Sequence, residues 1–378
     1  SAAAQVRIHI DELRPNMIVA KDVIASNGVL LVARDTMLNH VSYTKLKINK
    51  IKAVSIKAFS IDYETPTFLE DEANESKRVS EVMRRDPNVP PVPVADTQKF
   101  HDFAEDYEKS LATVHEDIES VVDGADIDVE KFFESTNSVM KKLQFKTDVF
   151  PYLNAMQDGS DQIFGHCANV ALLANLFGSW LNMDEHTLAN LVTAGMLHDI
   201  GKLKVPKEIL DKPGHLTETE MAEARNHAVY GYRILENKQV ALEVKQTALM
   251  HHERLDGSGY PVGAKGDKIK YFAKIISICD IYDAMTSDRP YRKKICPFEV
   301  IRQFEQSSFA SIDTELLLIF LQNISYTYIS SRVRLSDDRL GEVTFINRNH
   351  LSRPTIFVDD GEVVDLIRDK NIDVAEIF

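Results

Sequence analysis

The sequence predicts a multidomain protein in which an all-α helical bundle lies between a small β-rich N-terminal domain and a β-rich C-terminal tail. Three observations support this fold class. Short runs that alternate apolar and polar residues occupy both ends of the chain, long helical periodicity fills its middle, and an acidic, proline-rich stretch follows the first β-rich region. The 378 residues suffice for about two or three domains that each bury a hydrophobic core.

The N-terminal domain is predicted over residues 1–61. Its runs VRIHI, GVLLVA and IKAVSIKA alternate in polarity and are separated by turn residues, which is typical of short strands. Residues 62–96 then become acidic and proline-rich, the composition of a linker with an extended portion. Because no motif in residues 1–61 indicates chemistry, we expect this domain to have a structural or regulatory role.

The helical domain is predicted over residues 97–325 and the β-rich tail over residues 326–378. In the tail, the runs YTYI, RVRL, GEVTFI, TIFV and EVVDL predict short strands, and the last two flank Asp359-Asp360-Gly361 as a hairpin. We expect the tail to pack on the N-terminal domain and to complete one sheet with it. For the helices within 97–153, three roles stay open: a dimerisation bundle, a degenerate relative of the helices that follow, or an extension that walls their pocket.

Composition restricts the partners of the chain. Its 44 basic residues against 58 acidic residues leave a net charge of −14, which argues against binding long nucleic acid through a broad basic surface. A phosphate-bearing ligand must therefore be held by a local cluster of cations or metals. No apolar run approaches the roughly 20 residues that span a bilayer, and the N-terminus lacks a signal-peptide core. The three cysteines show no CxxC spacing, so we expect a reducing, cytoplasmic location.

The chemistry of the chain is indicated by its histidines, seven of the twelve of which lie between His166 and His252. The helix LANLVTAGML presents an apolar stripe that runs into His198 and Asp199, so an ionised carboxylate points toward the core. An unpaired buried carboxylate is costly, and a metal ion is its usual partner beside a histidine. For this pair alone, a capping aspartate and a hydrogen-bonded core histidine are the alternative.

Other inward-facing donors favour the metal. His166 lies on an apolar helical face, and His227 follows a predicted capping box of Thr217 and Glu220. His251 and His252 end a further helix, and Asp280 lies in a helix that is apolar almost all round. The full set is five imidazoles and two carboxylates: His166, His198, Asp199, His227, His251, His252 and Asp280.

Seven donors exceed the needs of one tetrahedral metal. They fit two metals about 3.5 to 4 Å apart, bridged by one carboxylate and by a water or hydroxide that becomes the nucleophile. Imidazole with carboxylate and no thiolate suits Fe, Mn, Co, Ni or Zn. Cys167 and Cys279 adjoin two of the donors in sequence and therefore project elsewhere on their helices.

With these residues identified, the chain resembles the HD-GYP family, a subgroup of the HD superfamily of metal-dependent phosphohydrolases. HDIGK at 198–202 matches the HD signature, and HHERLDGSGYP at 251–261 matches the block that names the subgroup. HCANVA from His166 and DIYDAMTSDRPYRK from Asp280 are further matches. The resemblance covers about residues 161–320, under half of the chain.

The resemblance implies a phosphodiesterase of bacterial signalling that hydrolyses a cyclic dinucleotide, typically cyclic di-GMP, to the linear dinucleotide. The compound 3′3′-cyclic GMP-AMP is the alternative substrate. The seven donors match the metal ligands of the family, with Asp199 bridging two metals, of which Fe or Mn come first and Ni, Co or Zn next. Some members hold a third metal through a glutamate at the position of Gln162, so we expect a binuclear centre here.

Catalysis is assigned to Asp199 and Lys202. Lys202 lies about one helical turn beyond Asp199, so its ammonium can reach a phosphate that lies on the metals. The resemblance assigns substrate contacts to Asp283, Arg289 and Arg292.

The loop that carries Gly257, Gly259 and Tyr260 is expected to be tight and to lie beneath the site, with Tyr260 packing rather than reacting. In related proteins this loop also supports contact with other signalling domains, and a homodimer is a further partner to consider.

Two other functions compete with hydrolysis of a cyclic dinucleotide. A catalytically silent sensor would bind the dinucleotide without turnover, although such a receptor has no need of a metal pair that activates water. An HD hydrolase of another phosphate ester, such as a deoxynucleotide, is the second competitor, and the GSGYP loop argues against it.

Overall fold

The computed structural model describes residues 5–26, 28–38, 40–61, 67–68, 93–141, 143, 148–156, 162–287, 294–306 and 311–378. The chain divides into two units, Ser1–Arg85 and Asp86–Phe378. The predicted linker, residues 62–96, lies outside the described residues except for 67–68 and 93–96.

The first unit contains the strands that its alternating runs predict. Strand β1 (Gln5–His9) pairs antiparallel with β4 (Ala53–Lys57), and β2 (Val23–Ile24) pairs antiparallel with β3 (Leu30–Val32). Helix α1 (His40–Ile48) lies between β3 and β4 and was not predicted.

Helix α1 was missed because its apolar residues are few. Tyr43 and Leu46 face the core of the first unit, where the Tyr43 ring stacks on Phe68 with centroids 4.7 Å apart. Phe68 is fully buried and its N–H donates to the carbonyl of Leu13, so this described part of the predicted linker belongs to the first unit.

The second unit is helical up to residue 327, as the periodicity predicts. Its described helices are α2 (Gln98–Val122), α3 (Val129–Lys141), α4 (Val149–Ala155), α5 (Gln162–Trp180), α6 (Glu185–Leu197), α7 (Lys207–Leu210), α8 (Glu218–Arg225), α9 (His227–Leu235), α10 (Leu242–Met250), α11 (Tyr271–Thr286), α12 (Pro297–Gln306) and α13 (Thr314–Thr327), with a 3₁₀ turn at Ile200–Lys204 after α6.

Local sequence signals set several of these helix starts. Asp184 caps α6 by accepting the N–H of Thr187 at 3.0 Å. The predicted capping box at α8 is confirmed, because the Thr217 hydroxyl accepts the N–H of Glu220 while the Glu220 carboxylate accepts the N–H of Thr217.

The core of the second unit forms around α5 and α6, which pack on each other. Val170, Phe177 and Leu191 are fully buried, since both helices carry apolar residues on almost every side. Helices α2 and α3, whose role the sequence leaves open, pack on α5 and α6 and share their core.

The C-terminal strands form a five-stranded antiparallel sheet in the order β8-β7-β6-β5-β9. They are β5 (Arg332–Leu335), β6 (Leu340–Asn347), β7 (His350–Val358), β8 (Val363–Asp365) and β9 (Val374–Ile377). The predicted hairpin is confirmed as β7 and β8, with Ile356 opposite Val364.

One expectation for the tail is wrong, and its packing on the N-terminal domain stays a prediction. Among the described strands, β5 to β9 pair only with one another. The apolar face of the sheet, which includes Val343 and Ile356, is buried with α12 and α13 in one core. The run YTYI is not a strand: Tyr326 and Thr327 end α13, because the apolar side chains of the run continue the buried face of that helix.

The described helices include none that combines the length and apolar character needed to cross a membrane.

A buried pair of tyrosines connects α11 to the end of α13. The hydroxyls of Tyr282 and Tyr328 lie 2.7 Å apart, and both side chains are buried. We expect Tyr282→Phe and Tyr328→Phe each to lower the free energy of unfolding by about 1–3 kcal/mol, because each leaves one buried hydroxyl without its partner. The double variant should lose less than the sum of the two, as measured by urea unfolding of metal-free protein. Strictly additive losses would contradict the hydrogen bond.

Candidate metal centre

The predicted ligands come together where α5, α6, α9, α10 and α11 converge. His198 follows the last residue of α6, and Asp199 directly precedes the 3₁₀ turn. Gly201 lets this turn approach α9, since a Cβ there would lie 1.9 Å from the carbonyl oxygen of His227 and 2.4 Å from the nitrogen of Gly231. The glycine of the HDIGK motif therefore brings Asp199 beside His227.

Asp199 lies at the centre of the site and is 1% exposed. Its Oδ1 is 3.3 Å from Nε2 of His227 and 3.5 Å from Nε2 of His251. Its Oδ2 is 3.5 Å from Nε2 of His198 and 3.6 Å from Nε2 of His166. Two ligand atoms that bind one tetrahedral ion at about 2.1 Å are themselves about 3.4 Å apart. Each oxygen of Asp199 is thus spaced from two imidazoles as co-ligands of one cation would be.

Three of the histidines have their ring orientation set by their own helices. In each of them Nδ1 lies within hydrogen-bond distance of a main-chain carbonyl oxygen. Nδ1 of His198 is 2.6 Å from the carbonyl oxygen of Gly195, Nδ1 of His227 is 2.7 Å from that of Ala224, and Nδ1 of His251 is 3.1 Å from those of Thr247 and Ala248. In the neutral imidazole the proton must then be on Nδ1, which leaves the Nε2 lone pair directed at Asp199.

Two of these inward-facing atoms have no hydrogen-bond partner among the described residues, namely Nε2 of His198 and Oδ1 of Asp199. Buried polar atoms are almost always satisfied, so both indicate a ligand that the protein chain itself does not provide. A divalent metal fits the donor set.

The protonation states suit metal binding. Burial lowers the pKa of His198 to about 3 and the pKa of His227 to about 4, so both imidazoles are neutral near pH 7. Burial likewise lowers the pKa of His252 far below its ordinary value. For Asp199 burial raises the pKa, but the nearby Lys202 and the surrounding imidazoles outweigh it and hold the carboxyl ionised.

His166 differs from the other histidines because two carboxylates bind it. Its Nδ1 is 2.6 Å from Oδ2 of Asp283 and its Nε2 is 3.1 Å from Oδ1 of Asp280. Burial lowers the pKa of His166, yet these two hydrogen bonds outweigh burial and raise the pKa to about 9. Asp280 also approaches His252, with 3.9 Å between Oδ2 and Nδ1.

Asp283 lies behind His166, away from the nitrogen that faces Asp199. Its carboxylate is 3% exposed and also accepts hydrogen bonds from Asn169 at 2.9 Å and from Ser287 at 3.1 Å. The substrate contact expected of Asp283 does not follow from this position. The geometry favours a role in orienting His166.

Two groups of described residues could hold a metal, and they share Asp199. The ligand atoms within each group lie within 4.8 Å of one another: Asp199, His227, His251 and His252 in the first, and His166, His198 and Asp199 in the second. Asp280 adjoins the second group through His166. Lys202 contacts Oδ2 of Asp199 through its ammonium.

Not every predicted residue can be placed. Arg289, Arg292 and the side chain of Gln162 lie outside the described residues.

Glu253 was missed by the sequence reasoning. Its carboxylate is 3% exposed and accepts the N–H groups of Val262, Gly263 and Ala264 at 2.7, 3.1 and 2.9 Å. A charged residue directly after the two histidines of the HHERLDG run was the available signal. Glu253 closes the loop that carries Tyr260 and thereby fixes its shape.

The loop places Tyr260 against the site. Its ring stacks on His252 with centroids 4.7 Å apart and an interplanar angle of 24°. Gly257 has a φ of +82°, which favours glycine. A Cβ on Gly259 would lie 2.4 Å from the carbonyl oxygen of His252, so the loop can approach the histidine segment only with glycine there.

Replacing Asp283 tests whether it orients His166. We expect Asp283→Asn to weaken binding of Mn²⁺ by about 10–100-fold, because the imidazole loses its carboxylate partner. Calorimetric titration of metal-free protein gives the affinity. Ser287→Ala is the matched control, since it removes one hydrogen bond to Asp283 but leaves the carboxylate on His166. Equal affinities of the Asp283→Asn variant and the native protein would refute this role.

The segment that carries these residues is similar to known proteins. Residues 152–316 match the family model described as "HD domain". The chain is 34% identical over 204 residues to a cyclic di-GMP phosphodiesterase of Pseudomonas aeruginosa, covering 54% of this chain and 49% of that protein. It is 38% identical over 151 residues to 3′3′-cGAMP-specific phosphodiesterase 3 of Vibrio cholerae, covering 40% of this chain and 33% of that protein. It is 35% identical over 181 residues to a cyclic di-GMP phosphodiesterase of Thermotoga maritima, covering 47% of this chain and 49% of that protein.

The chain thus spans half or less of the length of these three relatives. The resemblance to the HD superfamily expected from the sequence is confirmed over residues 152–316, which match the family model of the HD domain.

Proposed function

We propose that the chain is a metal-dependent phosphodiesterase that hydrolyses a cyclic dinucleotide to the linear dinucleotide. The observation that carries the proposal is the buried Asp199 carboxylate, one oxygen of which faces His227 and His251 while the other faces His166 and His198. Hydrolysis of a cyclic dinucleotide is supported by the names of the relatives, which specify cyclic di-GMP and 3′3′-cGAMP. Cyclic di-GMP is the proposed substrate and 3′3′-cGAMP the alternative.

The proposed centre is binuclear. Asp199, His227, His251 and His252 would hold one metal, while His166, His198, Asp199 and Asp280 would hold the other. Fe or Mn is proposed, with Ni, Co and Zn as alternatives that suit the same ligands. When bound, the metals would supply a water of lowered pKa as nucleophile and positive charge for the phosphoryl oxygens.

The side chains of the protein orient this centre and complete its charge. Main-chain carbonyls and Asp283 hold the imidazoles with their ligand nitrogens inward. Lys202 contacts the buried carboxylate of Asp199, and its side chain is 24% exposed, so this cation is partly accessible to a ligand from solvent. There it would offset charge that develops on the phosphate during hydrolysis.

The remaining substrate contacts are proposed from the family resemblance. Arg289 and Arg292 would bind the phosphate or the guanine base. The loop with Gly257, Gly259 and Tyr260 would form a wall of the pocket, because Tyr260 packs on His252.

Removing the shared carboxylate tests the proposed activity. The double variant His198→Ala with Asp199→Asn should lose metal retention and release linear dinucleotide only at the background rate. Product chromatography on cyclic di-GMP and 3′3′-cGAMP, with anaerobically purified protein and added Mn²⁺ or Fe²⁺, measures this. Hydrolysis by the double variant at the native rate would refute the site. Stoichiometric binding by the native protein without linear product would indicate a sensor instead.

Lys202 should affect turnover more than metal content. We expect Lys202→Met to lower kcat by about 100-fold, the size expected for one lost charge-stabilising donor. Metal content should be kept, since the lysine and the metal compete for the same carboxylate oxygen. Metal analysis and steady-state kinetics check both points. Lys204→Met, on the same turn and exposed, is the matched control and should keep the native kcat.

A further inference from the structure

A basic side chain, Arg225, lies one aromatic ring away from a proposed metal ligand. It is the last residue of α8, two residues before His227. Its guanidinium carbon lies over the ring of Tyr260, 5.1 Å from the centroid, and that ring stacks on His252. Arg225 is therefore close to the site but beyond the distance at which it could touch a group bound between the ligands.

The Tyr260 ring beneath Arg225 is held in place by the loop that carries it. Glu253 accepts three consecutive main-chain N–H groups just after Tyr260, which holds the loop on the histidine segment. A guanidinium over such a ring gains cation–π attraction, and its five N–H donors stay available at its edge. The position of the charge is thus defined by packing, while its hydrogen-bonding capacity is kept for a ligand.

Two other cations near the site are already engaged within the described part of the chain. Lys202 contacts Asp199, and Arg254 donates to the hydroxyl of Ser277 at 2.9 Å and to the carbonyl of Glu253 at 3.0 Å. For Arg225 the described residues provide the ring of Tyr260 as its contact, with no hydrogen bond or ion pair. In a chain with a net charge of −14, an exposed guanidinium held in this way beside the site is suited to an anionic ligand group.

We propose that Arg225 binds the second, non-reacting phosphodiester of the cyclic dinucleotide, which rests on the proposed function. A cyclic dinucleotide carries two phosphates in one ring, so when one lies at the metal ligands the other is offset to the side. A cation displaced from His252 by the thickness of one tyrosine ring fits that offset. Arg225 would then be a specificity-determining residue that favours cyclic dinucleotides over esters with a single phosphate.

The test compares two substrates. For Arg225→Ala we expect kcat/KM on cyclic di-GMP to fall about tenfold more than kcat/KM on bis(p-nitrophenyl) phosphate, mainly through KM, because one charge-assisted hydrogen bond is lost. Arg225→Lys keeps the charge and should recover most of the loss. The matched control is Arg233→Ala, which removes an exposed arginine from α9 and should leave both activities at the native level.

Salt dependence and binding separate a phosphate contact from a base contact. The Kd of a non-hydrolysable phosphorothioate analogue should rise with ionic strength more steeply for the native protein than for Arg225→Ala. An equal salt dependence in both proteins would assign Arg225 to a nucleobase and overturn the proposal. Equal losses on the two substrates would also overturn it. If the native protein hydrolyses neither substrate, the proposed function fails, which is distinct from failure of the Arg225 proposal in an active protein.

Discussion

Compensation of the buried charge of Asp199 is the constraint on which the rest of the site depends. This carboxylate is ionised inside a helical core, where an isolated charge would be strongly disfavoured. The helices direct four imidazole nitrogens and one ammonium toward it. One oxygen of Asp199 still has no hydrogen-bond partner among the described residues, which leaves it available to a bound cation.

Two other buried carboxylates are compensated in different ways, and the difference follows from their tasks. Glu253 accepts three main-chain N–H groups, which satisfies it entirely within the protein and makes it a structural anchor for the loop. Asp283 is satisfied by His166, Asn169 and Ser287. Asp199 alone of the three has a buried oxygen without a hydrogen-bond partner among the described residues, which is the property expected of a metal ligand.

Support for the site extends well beyond the segment that matches the HD domain. Tyr107 of α2 donates to Asn169 at 2.6 Å, and Asn169 donates to the same Asp283 that binds His166. The hydroxyl of Tyr282 in α11 is hydrogen-bonded to the hydroxyl of Tyr328, which follows α13 and precedes the C-terminal sheet. These contacts show that α2 packs against α5, which carries His166, while the three roles proposed for the helices within 97–153 stay predictions.

The sequence by itself determined the residue types of the site and the elements that carry them. The apolar stripes that end at His198 and surround Asp280 were sufficient to predict that these residues point inward, because helical periodicity specifies which side chains face a core. Tertiary structure alone decided which oxygen of Asp199 faces which histidines, that Asp283 lies behind His166, and that Glu253 anchors the loop. It also decided that the C-terminal sheet packs on α12 and α13. These features depend on contacts between residues far apart in the chain, and local pattern carries no information about such distances and directions.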